Sequence, residues 1–112
     1  MAIYIKTVNP EKLFESIKAK INELVNPSWK IDSEGDLVYT GYSYNDEAWL
    51  RPHFIVKNLC FGIIGNKNKT MSKYTYALYH TEIANFILKH FDDDIISIRI
   101  TPQKVENIDK FN

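Results

Sequence analysis

Three side chains that could bind or transform a ligand alternate along one short run of the sequence: Trp49, Arg51 and His53. An indole can bury against a partner, a guanidinium can hold a carboxylate or a phosphate, and an imidazole can transfer a proton near neutral pH. Successive side chains of a β-strand point to opposite faces, so these three would share one face. Tyr42 and Tyr44, in the polar loop before the strand, are expected to extend this aromatic and cationic strip.

We interpret the strip as a surface for a protein partner, because Tyr, Trp and Arg are the residue types that dominate interface hot spots. Two other interpretations stay open. The strip could be an ordinary polar sheet face with Trp49 packed under the tyrosine loop, or a place where a nucleotide or RNA base stacks on Trp49 or Tyr39. Pro52 cannot donate a backbone hydrogen bond, which predicts that its strand lies at a sheet edge or is bulged.

Two histidines could carry acid–base chemistry in a small hydrolase or nuclease that acts on a phosphorylated substrate. Such an enzyme would bring His53 and His80 together, with Arg51 and the Lys67–Lys69 loop holding the phosphate. The competing interpretation of His80 is a buried imidazole satisfied by a carbonyl or a hydroxyl group. The sequence has no zinc-ligand spacing, nucleophile elbow or dinucleotide fingerprint. We therefore assign no catalytic residue, no metal and no cofactor, and favour a binding protein over an enzyme.

A basic loop before the second predicted helix is a candidate anion site. Its residues Lys67, Lys69, Thr70 and Ser72 precede or open that helix, and the free N–H groups of a helix N-terminus attract anions. The phosphate-loop pattern GxxxxGK[ST] is absent. A solvated loop with an ordinary N-cap at Thr70 or Ser72 is the competing interpretation.

Composition limits the kinds of partner. The 112 residues suit a single domain, and the formal net charge is zero, so the chain lacks the broad positive field that draws proteins to nucleic acid. Cys60 is the only cysteine, which excludes an intramolecular disulfide and fits a reducing compartment; we expect its thiol to be buried. No apolar run approaches the roughly 20 residues of a membrane span. These features predict a cytoplasmic protein without membrane contacts.

The elements that must position these residues follow from periodicity. Alternation predicts strands within 3–8, 29–31, 37–39, 49–57, 59–64 and 96–100. Apolar residues at spacings of three and four predict helices over 10–25 and from 70 or 72 to 91. Asn9 and Pro10 are suited to the N-cap and first position of the first helix. The apolar arc of the second helix is wide enough to predict a central helix.

The order β-α-β-β-β-β-α-β defines an α+β fold, with an antiparallel or mixed sheet of about six strands and two helices on one face. Residues 1–102 are predicted to form one domain. The tail 103–112 carries Val105, Ile108 and Phe111 at three-residue spacing, which fits one docked helical turn. Strands at the edges of the sheet would also allow a homodimer.

Several short runs together resemble a loose group of small bacterial proteins without assigned function. They are Trp49-Leu-Arg-Pro, Phe61-Gly-Ile-Ile-Gly, Met71-Ser-Lys, Tyr79-His80 and His90-Phe91-Asp92, and the likeness covers residues 29–94. The resemblance implies a compact bacterial or phage-type cytosolic protein and brings no activity or site with it. Our expectation is a small cytosolic protein that binds a protein partner, as an immunity protein, an antitoxin or a phage-encoded inhibitor does.

Overall fold

A six-stranded sheet carries both helices on one of its faces, and every pair of neighbouring strands is antiparallel. The computed structural model describes residues 2–41 and 47–111, so Tyr42 and Tyr44 of the predicted strip lie outside the described residues. The elements are β1 (Ala2–Lys6), α1 (Pro10–Glu23), β2 (Trp29–Ile31), β3 (Leu37–Tyr39), β4 (Ala48–Ile55), β5 (Asn58–Gly65), α2 (Lys73–Phe91), a short 3₁₀ turn (Asp92–Asp94) and β6 (Ser97–Ile100). The predicted α+β fold is confirmed.

The strand order in space is β2-β3-β4-β5-β1-β6. The first strand therefore lies inside the sheet, between β5 and the last strand. Its register pairs Ile3 with Phe61 on one side and with Ile100 on the other. The two edges of the sheet are β2 and β6, which are both short.

Each helix begins at a polar cap. The Asn9 side chain accepts a hydrogen bond from the Lys12 N–H at 3.1 Å, and Pro10 occupies the first turn, as predicted. Ser72 caps α2 by accepting a hydrogen bond from the Thr75 N–H at 3.1 Å. A cap of this kind satisfies one of the N–H groups that the first helical turn leaves without an intrahelical partner.

The core fills the space between the helices and one sheet face. Phe14 of α1 meets Phe61 edge to face, with 6.1 Å between ring centroids, and Tyr79 of α2 meets Trp29 at 5.4 Å. The buried Tyr79 hydroxyl accepts a hydrogen bond from the Tyr39 N–H at 3.2 Å. Burial raises the pKa of Tyr79 to about 12, so this hydroxyl stays protonated.

The prediction that α2 is a central helix is wrong. Its buried side is a single stripe that includes Tyr79, Ile83 and Ile87, while Tyr74 and Leu88 are exposed. Both helices rest on the same sheet face, so the far side of α2 meets solvent. The sequence pattern overestimated the buried surface of α2, because apolar residues on its solvent side remain exposed.

Pro52 lies on an inner strand that is not bulged, contrary to the prediction of an edge or a bulge. β4 pairs with β5 without interruption from Ala48 opposite Gly65 to Ile55 opposite Asn58. On its other flank β4 pairs with β3 only at Leu50. Pro52 therefore lies beyond the end of β3, and this locally unpaired flank tolerates the missing N–H as an edge would.

Within residues 2–41 and 47–111, no helix combines the length and the apolar character needed to cross a membrane.

Candidate functional site

The strip Trp49, Arg51 and His53 lies on the sheet face that the helices leave free. Leu50, between the first two, is fully buried in the core, so strand alternation turns its neighbours to the other face. All three strip residues are half-buried. The sequence-based prediction of one shared face is therefore confirmed.

Arg51 is held by the acidic turn that joins β2 to β3. Its Nε donates to Oδ1 of Asp36 at 3.1 Å and its Nη2 donates to Oδ2 of the same carboxylate at 2.9 Å. Nη2 also approaches Oε2 of Glu34 at 3.4 Å. The hydrogen bond with Asp36 is the main cause that raises the pKa of Arg51. A guanidinium already paired in this way is a poor phosphate holder, because a phosphate would have to displace a buried carboxylate.

The turn is ordered by hydrogen bonds among its own residues, independently of Arg51. Oδ1 of Asp32 accepts hydrogen bonds from the N–H groups of Glu34 and Asp36, both at 2.9 Å. Gly35 adopts φ of +84°, a conformation that side-chain-bearing residues rarely adopt. This turn places the Asp36 carboxylate directly across from Arg51. The sequence analysis did not identify Asp36. A register that pairs Leu37 with Leu50 places Asp36 opposite Arg51.

A cavity of about 480 Å³ opens beside the strip. Trp49 and Arg51 form part of its wall, the acidic turn forms one rim and the basic loop forms the other. Its lining residues are Asp32, Ser33, Glu34, Asp36, Trp49, Arg51, Ile64, Gly65, Asn66, Lys67 and Asn68. The cavity therefore joins an aromatic wall to charged groups of both signs, an arrangement suited to a mixed apolar and polar ligand surface.

Two of the predicted anion-binding residues have different places in the structure. Lys67 lines the cavity, whereas Ser72 is the cap of α2. The Thr75 hydroxyl in the first turn of α2 donates to the Glu47 carboxylate at 2.8 Å. A protein carboxylate thus already sits at this helix N-terminus, where an anion would otherwise be favoured.

The two histidines lie in different layers of the molecule. His53 is on the face without helices, whereas His80 is buried in α2, with Nδ1 2.7 Å from the Tyr76 carbonyl oxygen. The interpretation of His80 as a buried imidazole satisfied by a carbonyl is confirmed. Because the sheet separates the two rings, they do not form the acid–base pair that the enzyme alternative requires.

The tail reaches the face of the strip at Ile108, and its Phe111 ring packs against Tyr76 of α2, with 5.2 Å between ring centroids. A Cβ at Gly62 would collide with the Ile108 carbonyl group, so the tail crosses the sheet where this β5 residue has no side chain. The Asp109 N–H donates to the Val105 carbonyl at 2.8 Å, which closes a turn. This turn is not helical, because Asn107 within it adopts φ of +68°. Lys110 then pairs with Ile64 in a parallel bridge.

Asp109 fixes the tail to the sheet. Its carboxylate is buried; Oδ1 accepts a hydrogen bond from the Ile63 N–H at 2.9 Å and Oδ2 accepts one from the Val105 N–H at 2.8 Å. The first of these bonds satisfies the N–H group of Ile63 on β5, one residue beyond Gly62, where the pairing of β5 with β1 starts. The spacing of the tail residues did not predict this contact, because the contact depends on how β1 and β5 pair and not on any pattern within the tail.

Cys60 lies on this covered face, and its predicted burial is confirmed. Burial is the main cause that raises the pKa of its thiol to about 11, and the nearby Asp109 carboxylate adds to the effect. The thiolate is the reactive form, so Cys60 is protected from modification at neutral pH.

In comparisons with known proteins, no family model, no curated protein and no solved structure matches the chain. In the described part of the chain, no group of three or more His, Cys, Asp or Glu side chains is placed to hold a metal ion. The resemblance to a group of small bacterial proteins stays a prediction. Function has to be argued from the site.

His53 should make the fold sensitive to acid. Its Nε2 is buried and has no hydrogen-bond partner among the described residues. Burial is the main cause that lowers its pKa from 6.5, and Arg51 and Lys110 add to the effect, whereas Asp109 and Asp36 oppose it. The unfolded chain therefore binds a proton more readily than the folded one, so stability falls as the pH drops below 6.5 toward the lowered folded pKa.

We expect His53→Gln to lose less unfolding free energy than the wild type when the pH falls from about 7.5 to about 5.5 in urea titrations. His90, whose pKa is also lowered by burial, accounts for part of the remaining slope. The matched variant His90→Gln separates the two contributions. An identical pH dependence in the wild type and His53→Gln would contradict the expectation.

Proposed function

We propose that the chain is a small cytosolic protein that acts by binding a protein partner through the strip and its cavity. The observation that carries the proposal is the position of Trp49, which is half-buried in the wall of a cavity of about 480 Å³. Trp29, the other tryptophan, is 1% exposed and belongs to the core. A large aromatic side chain left partly in water beside a cavity is typical of an interface anchor.

The surroundings of Trp49 favour binding over chemistry. Arg51 is locked by two hydrogen bonds to one carboxylate, so this wall of the cavity is ordered before any partner arrives. Groups that are already ordered lose little conformational entropy on association. The histidines that an enzyme would need lie on opposite faces of the sheet. This separation supports a binding protein such as an immunity protein, an antitoxin or a phage-type inhibitor.

The charges of the rim indicate what the partner presents. Glu34 keeps 74% of its side chain exposed and contacts Arg51 only at 3.4 Å, so its carboxylate remains accessible. A lysine or arginine of the partner could pair with Glu34 while an apolar side chain packs on Trp49. Such an aromatic centre with a charged rim is the usual arrangement of protein interfaces.

Replacement of Trp49 tests the proposal. We expect Trp49→Ala to weaken partner binding by at least about 30-fold, the effect of losing a hot-spot residue of about 2 kcal/mol. The measurement is capture from a lysate of the source organism, identification of the captured protein by mass spectrometry, and titration of that purified partner. Thermal unfolding of the variant should stay close to that of the wild type, because Trp49 is outside the core.

The matched control is Tyr74→Ala, which removes an aromatic ring that is 59% exposed on α2, away from the strip. Its affinity for the partner should equal that of the wild type. Equal capture by the wild type and Trp49→Ala would overturn the proposal. So would a large loss of stability in Trp49→Ala, since it would make Trp49 a core residue.

A further inference from the structure

The edge strand β6 exposes isoleucines where edge strands usually carry protection. Ile100 is 40% exposed, and Ile96, which precedes the strand, is 65% exposed. The outer flank of β6 has no partner strand in the described part of the chain. Edge strands normally avoid association through lysine, proline or bulges. Residues Ser97–Ile100 contain neither lysine nor proline.

The opposite edge is protected. β2 has only three residues, and its central residue is the exposed Lys30. A lysine in the middle of an edge strand discourages pairing, because the incoming strand would have to desolvate its charge. The two edges of the same sheet therefore differ in their capacity to accept another strand.

We propose that the chain forms a two-fold symmetric dimer in which β6 pairs antiparallel with β6 of a second copy, with the two Ile98 residues facing each other. This dimer is independent of the partner surface around Trp49, which lies on β4, three places from β6 in the strand order.

The backbone of β6 is oriented for this pairing. The Thr101 N–H donates to the Ala2 carbonyl at 3.0 Å, so Thr101 directs its backbone groups toward β1. Alternate residues of an antiparallel strand bond the same neighbour. Ile98 and Ile100 consequently direct their N–H and C=O groups to the outer edge, where a second copy can reach them.

Side-chain pairing selects the register. If Arg99 faced Arg99 of the second copy, like charges would be directly opposed, which is destabilising. Placing the two-fold axis at Ile98 instead puts Arg99 opposite Ser97 of the second copy. Ile96 lies outside this pairing, because its N–H donates to the Lys6 carbonyl at 2.8 Å. The two Ile98 side chains then meet on one face of the joined sheets.

The Arg99 side chain points away from the proposed contact between the two β6 strands. Its guanidinium carbon lies 4.4 Å from the ring centroid of Tyr4, on the sheet face opposite to the isoleucines. The cation–π contact holds the long side chain over β1. Arg99 therefore does not shield the apolar row from an incoming strand.

The shared edge is short, with four residues from each copy. Interfaces of this small class form weak complexes, so the dimer will dissociate on dilution. Sedimentation equilibrium of the full chain over a range of concentrations is the appropriate measurement. We expect the wild type to pass from monomer to dimer at a concentration below about 1 mM.

The decisive variant is Ile100→Lys, which introduces the edge protection that β6 lacks. We expect its dimer dissociation constant to rise at least about tenfold, because each dimer would carry two lysines at the junction. Ile55→Lys is the matched control: Ile55 is 42% exposed, has the same residue type and lies on β4, away from the edge. It should dimerise like the wild type.

The register has its own test. Directly opposite residues of an antiparallel pair have Cα atoms about 4.5–5.5 Å apart, within the range that a disulfide spans. Mild oxidation should therefore link Ile98→Cys into a covalent dimer. Ser97→Cys should stay unlinked, since its two Cα atoms would be about 8 Å apart. Native Cys60 is buried and is present in both variants, so any cross-linking through it would be the same in both.

Three results would overturn the proposal. The first is a wild type that remains monomeric up to about 1 mM, and the second is an equal dimer dissociation constant for Ile100→Lys and Ile55→Lys. The third is a covalent dimer that forms through Ser97→Cys as readily as through Ile98→Cys. Circular dichroism of each variant shows that its fold is retained. Because none of these measurements involves the captured partner, failure here leaves the Trp49 proposal standing.

Discussion

Replacing Arg51 with alanine is expected to lower the free energy of unfolding by about 2–3 kcal/mol. The Asp36 carboxylate keeps only 4% of its side chain exposed, and the paired hydrogen bonds at 3.1 and 2.9 Å compensate its charge. Without Arg51 this buried carboxylate would be left with an uncompensated charge. A fully buried pair would cost more, but Arg51 is 36% exposed and water partly takes its place.

Chemical denaturation of Arg51→Ala measures this loss, and two comparisons define its origin. Lys18→Ala breaks an exposed pair with Glu15 at 2.7 Å and should cost less than about 1 kcal/mol. Arg51→Ala combined with Asp36→Ala should recover part of the loss, since the unpaired carboxylate is then gone. If Arg51→Ala costs no more than Lys18→Ala, the paired hydrogen bonds do not stabilise the fold.

Gly62→Ala is expected to displace the tail from the sheet. A methyl group at this position would collide with the Ile108 carbonyl, a backbone group that cannot rotate away. Such overpacking costs about 1–3 kcal/mol and can be relieved only by moving the tail. Cys60, two residues away on the same face, would then lose the burial that raises its pKa to about 11. We expect its reaction with a thiol reagent near neutral pH to accelerate at least tenfold, as about one unit of lowered pKa would give.

Gly35→Ala is the matched control, with the same added methyl group in a different setting. Nothing lies within 4 Å of a Cβ at Gly35, so the cost comes from its φ of +84° alone. Stability should fall by about 1 kcal/mol while the rate of Cys60 modification stays that of the folded wild type. An unchanged Cys60 rate in Gly62→Ala would show that the tail does not protect this face.

Features decided by neighbours in the chain were predictable from the sequence. Alternation alone placed Trp49, Arg51 and His53 on one face, because a strand leaves each side chain only two directions. Asn9 and Pro10 marked the start of α1 for an equally local reason, since a cap and its helix are adjacent.

Features decided by distant parts of the chain were not predictable in this way. Pro52 restricts only its own N–H, and whether a strand lies on that flank depends on where β3 begins. The pairing of Arg51 with Asp36 depends on the register between β3 and β4, which no pattern within either segment specifies. The contact between Asp109 and Ile63 further requires that β1 begin opposite Gly62.

The inner position of β1 has a consequence for how the chain folds. Ile3 pairs with Ile100 and Phe61, so the strand made first needs partners that come much later in the sequence. Closing such long loops costs entropy before any contact repays it, and domains dominated by distant pairings fold more slowly than helical ones. The β4–β5 hairpin, in contrast, joins neighbours through a tight turn. The hairpin can therefore form early, whereas β1 stays unpaired until β5 is available. Its other edge remains exposed to other chains until β6 pairs with it.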